Sequence, residues 1–238
     1  MNCVVPLAGS DIFHPRLGIK ALLNVNGRPL VEVALKGRPW WRSGELTSSR
    51  LIFVLRRDID ASAQVEAVLR ERFAEARFAW LSGPTGGALF SALAAVSLVI
   101  DPNEPLCIDL ADFSYSSETD PVDLFAKDQA LAVIAPWFSS SGANLSYFKM
   151  DETGRVWEVA EKRVISRNAS TGTYLFRDCA TWLDAASWAV RHQREVTIRN
   201  ALYICPSLTG VISSNRKVLG FEVHDVMSFS DMFHGPLE

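Results

Sequence analysis

Short apolar runs alternate with stretches of helical periodicity through the first 137 residues, and this order restricts the possible folds more than any other feature. Cys3–Leu7, Leu51–Leu55, Arg77–Leu81, Pro105–Leu110 and Leu131–Trp137 read as strands, the first of them as a buried strand followed by a Gly-containing loop. Between them, LVEVALKGRPWW after Pro29, the stretch Asp60–Ala76 and the run ALFSALAAVSLVI place apolar residues at helical spacing. A β-α-β-α order of this kind predicts an α/β fold with a mostly parallel sheet and helices on both faces. After Phe138 the pattern changes to short β-like pieces at Leu145–Met150, Val156–Val159 and Thr173–Phe176. Asp151–Gly154 reads as a hairpin turn between the first two. An amphipathic stretch over Cys179–Arg194, an apolar run near Tyr203 and a last strand at Val218–Val223 complete the chain, and Ser139–Gly142 is the best candidate for a mobile loop.

The 238 residues suffice for one large domain, and 48% apolar against 21% charged residues is ordinary for a packed core. A net charge of −3 gives no hint of a nucleic-acid surface. Cys3, Cys107, Cys179 and Cys205 form no CxxC pair, and three of them sit in apolar runs. They read as buried thiols of a reducing compartment. The start MNCVVPLAG lacks a basic, long apolar leader, and no apolar run is long enough to cross a bilayer. A cytoplasmic protein with no membrane partner is the expectation.

Ligands on open parallel sheets bind beyond the carboxyl ends of the strands. Four such places carry suggestive residues. The first is AGSDIFHPRLGIKALL, residues 8–23, where Gly9 directly follows a buried strand and Arg16 and Lys20 supply positive charge. It lacks the GK[ST] ending of a P-loop, and the same residues also fit an ordinary strand–helix turn with two solvated bases. The second is SGPTGGA, residues 82–88, whose paired glycines suit close packing against a flat base or ribose, or a flexible turn. The third is CIDLADF, residues 107–113, where Asp109 and Asp112 end an apolar strand as Mg²⁺ ligands or as a helix cap. The fourth is EVAEKR, where Glu161 and Lys162 point to opposite faces if they lie on a strand but reach one ligand together if they lie in a loop. Taken alone, this last pair reads as solvated charge. His14 could touch a phosphate, while His192, His224 and His234 show no metal-ligand spacing. No G-x-S-x-G nucleophile motif is present.

These four segments stand in an order that resembles the sugar-phosphate nucleotidyltransferases and their MobA-like relatives, and within them the capsule-type branch. VVPLAG resembles the opening strand and glycine of that family. RLGIKALLNVNGRPLVE is similar to the signature R-M-G…K-A-L-L-P-V-x-G-K-P-L-x-E. PTGGALFSALAAVSLVIDPNEPLCIDLADF resembles a T-x-G-A…E-P-L-L-I-x-x-x-D segment. YFKMDETGRVWEVAEKRVISRNASTGTYLF resembles the block Y-x-K-x-D-E-x-G-R-V-x-E-V-x-E-K-x-x-I-S-x-x-A-x-x-G-x-Y-x-F, and RNALYICPSLTGVI echoes N-x-x-Y-x-x-P-x-x-x-x-x-I.

The resemblance implies a single Rossmann-like, GT-A-like domain over residues 1–238. Residues 1–137 would form its nucleotide-binding half and 138–238 its acceptor-binding half. Ala8, Gly9 and Ser10 would hold the phosphates of an NTP, with Arg16 and Lys20 neutralising them, and Gly86, Gly87 and Ala88 would lie against the base. Asp112 would hold Mg²⁺, with Asp225 as a second metal carboxylate. Glu161 and Lys162 would grip a phosphorylated small-molecule acceptor whose pocket Gly172 and Asn200 line. The implied reaction joins an NTP to a sugar phosphate with release of pyrophosphate, catalysed by positioning and charge, with Lys20, Arg16 and Asp112 as catalytic groups. The chain departs from the family pattern in having one glycine, Gly9, followed by Ser10-Asp11-Ile12-Phe13 where the family has G-G-x-G-x-R. A catalytically inactive nucleotide-binding protein on the same fold therefore stays open. So does a sugar-transferring enzyme, although Asp109 and Asp112 are not spaced as D-x-D. Self-association is also left open.

Overall fold

The computed structural model describes residues 1–9, 12–14 and 17–229. The chain begins with β1 (Asn2–Pro6) and two short hairpins, β2 (Phe13–His14) with β3 (Gly18–Ile19) and β4 (Asn24–Val25) with β5 (Arg28–Pro29). Helices α1 (Leu30–Lys36) and α2 (Pro39–Arg42) lead to β6 (Leu51–Arg56), α3 (Ser62–Arg72), β7 (Arg77–Leu81) and α4 (Ala88–Ala94). Then come β8 (Leu106–Asp109), β9 (Phe113–Ser116), α5 (Pro121–Lys127) and β10 (Leu131–Ser139). The second part holds β11 (Ser146–Met150), β12 (Val156–Glu161), β13 (Asn168–Ser170), β14 (Thr173–Phe176), α6 (Cys179–Arg191), α7 (Gln193–Val196), α8 (Leu208–Ser213), β15 (Lys217–Glu222) and β16 (His224–Ser228).

One mixed sheet organises these elements in the order β12-β11-β13-β10-β14-β8-β1-β6-β7, with β15 paired to β10. The block β8-β1-β6-β7 is parallel throughout, and β15 runs parallel to β10. Antiparallel pairing of β14 with β8 and β10, and of β13 with β10 and β11, carries the sheet onward. The result is that β12, β13 and β14 run against the direction shared by the other strands of this sheet. The expected α/β fold is therefore present as a single domain.

Alternate residues of the central strands feed two cores. Cys3, Val5, Leu51, Phe53 and Leu55 pack on one face with Leu30, Val31, Ala34 and Leu35 of α1 and Val65 and Leu69 of α3. Val4, Ile52 and Val54 pack on the other with Leu89 and Ala92 of α4, Trp182, Ala185, Ala186 and Ala189 of α6, and Leu208 and Val211 of α8. Strands buried on both faces become continuous apolar runs, which is why they were visible in the sequence. Cys3, Cys107, Cys179 and Cys205 are all buried free thiols, as their apolar neighbours suggested.

Local chemistry sets the element ends. α1 stops at Lys36 because Arg38 precedes Pro39 and is forced extended, at φ −65° and ψ 142°. The expected single helix through Trp41 is therefore two helices meeting at a corner. Asp178 caps α6 by accepting from the Thr181 amide at 2.7 Å, and Asp120 caps α5 from the Val122 amide at 2.9 Å. The expected turn after β11 is an Asx turn in which Asp151 Oδ1 accepts from the Thr153 amide and hydroxyl, closed by Gly154 at φ +80°.

Candidate active site

A cavity of about 450 Å³ opens where β1 and β8 end side by side. The parallel register Val4↔Ile108 brings both carboxyl ends to the same level, as the fold class requires of a ligand site. Leu7, Ala8 and Gly9 after β1 form one wall, and Leu110, Ala111 and Asp112 after β8 form the next. Lys20 enters from the short 3-10 turn Lys20–Leu22, with Leu30 and Val31 of α1 behind it. Thr85, Gly87, Ala88 and Ser91 contribute from the start of α4, and Lys162, Ala201 and Tyr203 close the far side from the second part of the chain.

Among the described residues lining this cavity, charge is concentrated in Lys20, Asp112 and Lys162. Lys20 Nζ donates to Asp112 Oδ1 at 2.5 Å, and the two side chains are 13% and 29% exposed. That pair is sheltered on the protein side and open on the cavity side. Lys162 Nζ donates to the Tyr203 hydroxyl at 2.5 Å and stands 4.3 Å from the centre of its ring. Lys162 reaches the cavity because its backbone turns left-handed, at φ +50°, directly after β12.

Gly87 sets the wall nearest α4. Its φ is +123°, and a Cβ there would stand 2.3 Å from the Leu202 carbonyl oxygen. The close approach is built from backbone bonds on both sides: the Leu202 amide donates to Gly86 O at 2.8 Å, and the Leu89 amide donates to Leu202 O at 3.1 Å. The paired glycines thus dock α4 against the segment that carries Ala201 and Tyr203. Thr85 Oγ1, at 3.0 Å from Gly87 O and 2.8 Å from Ser91 Oγ, ties the turn together.

The structure brings Lys20, Asp112, Ala8, Gly9, Gly87, Ala88 and Lys162 to one cavity. Among the described residues, Gly86, Glu161, Gly172, Asn200 and Asp225 of the expected set do not line it. Gly86 lies behind Gly87 and serves Leu202. Glu161, on the last position of β12, does not line the cavity. It accepts from Ser146 Oγ at 2.5 Å, and burial raises its carboxyl pKa above the usual range against the opposing effects of that bond and of Lys162. Gly172, at φ +74°, accepts from the Leu110 amide at 3.1 Å and supports the β8 end from outside the cavity. Asn200 occupies a left-handed turn, at φ +61°, and its neighbour Ala201 takes the lining position.

Asp225 is the largest departure. It accepts from Ser116 Oγ at 2.6 Å on the β9–β16 ribbon and lies with Arg28 and Lys36 beside a separate, shallower depression. Asp112 lines the first cavity and Asp225 the second depression. The structure does not place Asp225 to share a metal with Asp112. Among the described residues no group of three or more His, Cys, Asp or Glu side chains is gathered to hold a metal. Ser10, Asp11 and Arg16 lie outside the described residues.

Asp109 differs from Asp112 in kind. It is fully buried and receives a two-pronged contact from the equally buried Arg38, Nε to Oδ2 at 2.7 Å and Nη2 to Oδ1 at 3.0 Å. Burial works to lower the guanidinium pKa, but Asp109, Tyr115 and Cys107 together outweigh it and the net shift is upward. Arg38 was not visible as a site residue, and neither were Tyr203, Thr85 and Ser91. Tyr203 lay inside the RNALY segment, and an aromatic residue beside the asparagine was the signal available there.

Comparison with sequence families finds no match, and comparison with curated proteins finds none either. Solved structures do resemble the chain. A nucleoside-diphosphate-sugar pyrophosphorylase from Vibrio cholerae RC9 matches with a TM-score of 0.79 at 20% identity, covering 98% of this chain and 99% of that one. A putative glucose-1-phosphate thymidylyltransferase from Bacillus anthracis, in complex with a sucrose, matches at 0.72 and 14% identity over 100% and 96%. A UDP-glucose pyrophosphorylase complexed with UDP-glucose matches at 0.66 and 17% identity over 94% and 90%. Likeness over nearly whole chains at such low identity shows that the chain has the α/β fold of these proteins. Among the described residues no helix is long and apolar enough to cross a membrane.

Proposed function

We propose that the chain is a nucleotidyltransferase that joins an NTP to a sugar phosphate or a related phosphorylated small molecule and releases pyrophosphate. One observation carries the reading: Lys20, paired to Asp112, and Lys162 line one cavity at the carboxyl ends of two parallel strands. The names of the similar folds, sugar-nucleotide pyrophosphorylases and a thymidylyltransferase, support the same reaction class. So does the resemblance of the sequence segments to that family and its capsule-type branch.

In this reading an oxygen of the acceptor phosphate attacks the α-phosphorus of the NTP, and the bond to pyrophosphate breaks. Little covalent work falls to the protein, which positions two anions against each other and offsets their charge. Gly9 and Ala8 let the triphosphate approach the β1 end, and Lys20 moves from Asp112 toward the phosphates. Lys162 and Tyr203 hold the acceptor from the other side, so residues before and after Phe138 would serve nucleotide and acceptor respectively. The donor set fits magnesium: one partly open carboxylate, Asp112, is what Mg²⁺ takes when substrate phosphates and water supply its other ligands. When bound it would neutralise charge on the phosphates. Incubation with Mg²⁺, a panel of NTPs and phosphorylated acceptors should release pyrophosphate. Absence of release where a known pyrophosphorylase succeeds would overturn the reading, and NTP binding without release would turn it toward a binding protein.

A further inference from the structure

Asp109 and Arg38 form an ion pair with neither side chain exposed, and such a pair is a poor source of stability. Removing two charges from water offsets most of their attraction, and apolar replacements of similar volume are often as stable. Its geometry offers a different explanation. Asp109 Oδ1 accepts from Arg38 Nη2 at 3.0 Å and also from the Ala111 amide at 2.8 Å. Ala111 sits in the left-handed region at φ +53°, where a residue with a Cβ is strained and needs its surroundings to hold it. Asp112 is the next residue, and the direction of its carboxylate follows from that turn.

The guanidinium is fixed in its turn. It lies 4.1 Å from the centre of the Tyr115 ring, and the Tyr115 hydroxyl donates to Thr173 Oγ1 at 3.2 Å. Arg38 itself is held extended between α1 and Pro39. From the far side, the Phe229 amide donates to the Asp112 carbonyl at 2.9 Å. The residue that aims into the cavity is thus gripped at both ends of a strained turn.

We propose that Arg38 and Asp109 are positioning residues: a buried clamp that holds the Ala111 turn left-handed and so aims the Asp112 carboxylate into the cavity. The catalytic consequence rests on the nucleotidyltransferase reading, whereas the conformational one does not. The test compares two double variants of the whole protein, R38M/D109L and R38M/D109N. Both remove the charges, but only the asparagine retains an acceptor for the Ala111 amide. Amide hydrogen exchange without any substrate should speed up at least tenfold at Ala111 and Asp112 in R38M/D109L, beyond any change elsewhere in the sheet, and recover toward wild type in R38M/D109N. In the pyrophosphate assay kcat should fall at least tenfold in R38M/D109L, with KM for the NTP little changed and with partial recovery in R38M/D109N. If the leucine variant does not fold, R38K replaces it. That variant leaves one of the two contacts to Asp109 and should show the exchange change at a few-fold size. Unchanged exchange at Ala111 in folded R38M/D109L or in R38K would overturn the clamp. A wild-type protein that makes no pyrophosphate would overturn the reaction and leave the exchange result to judge the clamp.

Discussion

Replacing Asp112 by asparagine separates binding from turnover, because the structure gives the carboxylate two opposed effects. Without metal it is a negative charge where a triphosphate must lie, and it holds Lys20 at 2.5 Å. A phosphate about 6 Å from that carboxylate is repelled by about 3 kcal/mol at an effective dielectric constant near 20. With the Asp112 side chain 29% exposed, solvent screening reduces this to about 1.4 kcal/mol, or roughly tenfold in affinity. Asp112→Asn should therefore bind NTP about tenfold more tightly than wild type in excess chelator, since that repulsion is lost. With Mg²⁺ its turnover should fall by a factor on the order of 100, because the protein carboxylate for the metal is gone. Calorimetric titration in EDTA reads the first effect and steady-state pyrophosphate release the second. A damaged fold would lower both quantities, so the opposite signs are diagnostic. Weaker metal-free binding by the variant, or unchanged turnover with Mg²⁺, would refute the assignment of Asp112.

Three further outcomes follow from the geometry. Gly87→Ala places a methyl group 2.3 Å from the Leu202 carbonyl oxygen at a φ of +123° and should cost about 2–4 kcal/mol, seen as a melting point lowered by roughly 5–10 °C. Glu161 holds its proton more tightly folded than unfolded, so stability falls as pH rises from the ordinary glutamate range through the raised folded value and stays lower above it. Glu161→Gln, which still accepts from Ser146, should therefore raise the melting point near pH 8 and lose that advantage near pH 4, and a pH-independent difference would contradict the buried carboxyl. Lys20→Met should lower kcat/KM by about 100-fold, and Lys20→Arg should recover less than a tenth of the loss, since a planar guanidinium does not replace a compact ammonium in a side chain only 13% exposed. Full activity in Lys20→Arg would show that charge alone suffices.

The parallel half of the sheet was legible because of how it is buried. β1 and β6 are covered on both faces, so Cys3–Pro6 and Leu51–Leu55 are apolar throughout and the runs stand out. What was missed depends on distant partners. β16 is half exposed and reads HDVMS, with no apolar pattern, and it is a strand because it pairs with β9, more than a hundred residues earlier. β9 does alternate, FSYS with Phe113 and Tyr115 inward, but four residues are too few to distinguish from a loop. The corner at Arg38 was written in the sequence as the residue before Pro39, and the helical spacing of Trp40 and Trp41 obscured it.

The site divides along the same line. Asp112 was legible because an acid just beyond a buried strand has few places to go except the cavity at the strand ends, and Lys20 through the resemblance carried by RLGIKALLNVNGRPLVE. Glu161 and Lys162 posed a question that spacing states but cannot answer, since adjacent residues on a strand point apart. The left-handed turn at Lys162 sends the lysine into the cavity and leaves the carboxylate half-buried against Ser146. Asp109 and Asp112 looked equivalent, three residues apart at the end of one strand. Only Arg38, 71 residues earlier in the chain, separates their roles. A buried guanidinium makes one carboxylate internal and leaves the other facing the cavity. Which acid faces the ligand is thus decided by a long-range partner, while the presence of an acid at that strand end is decided locally.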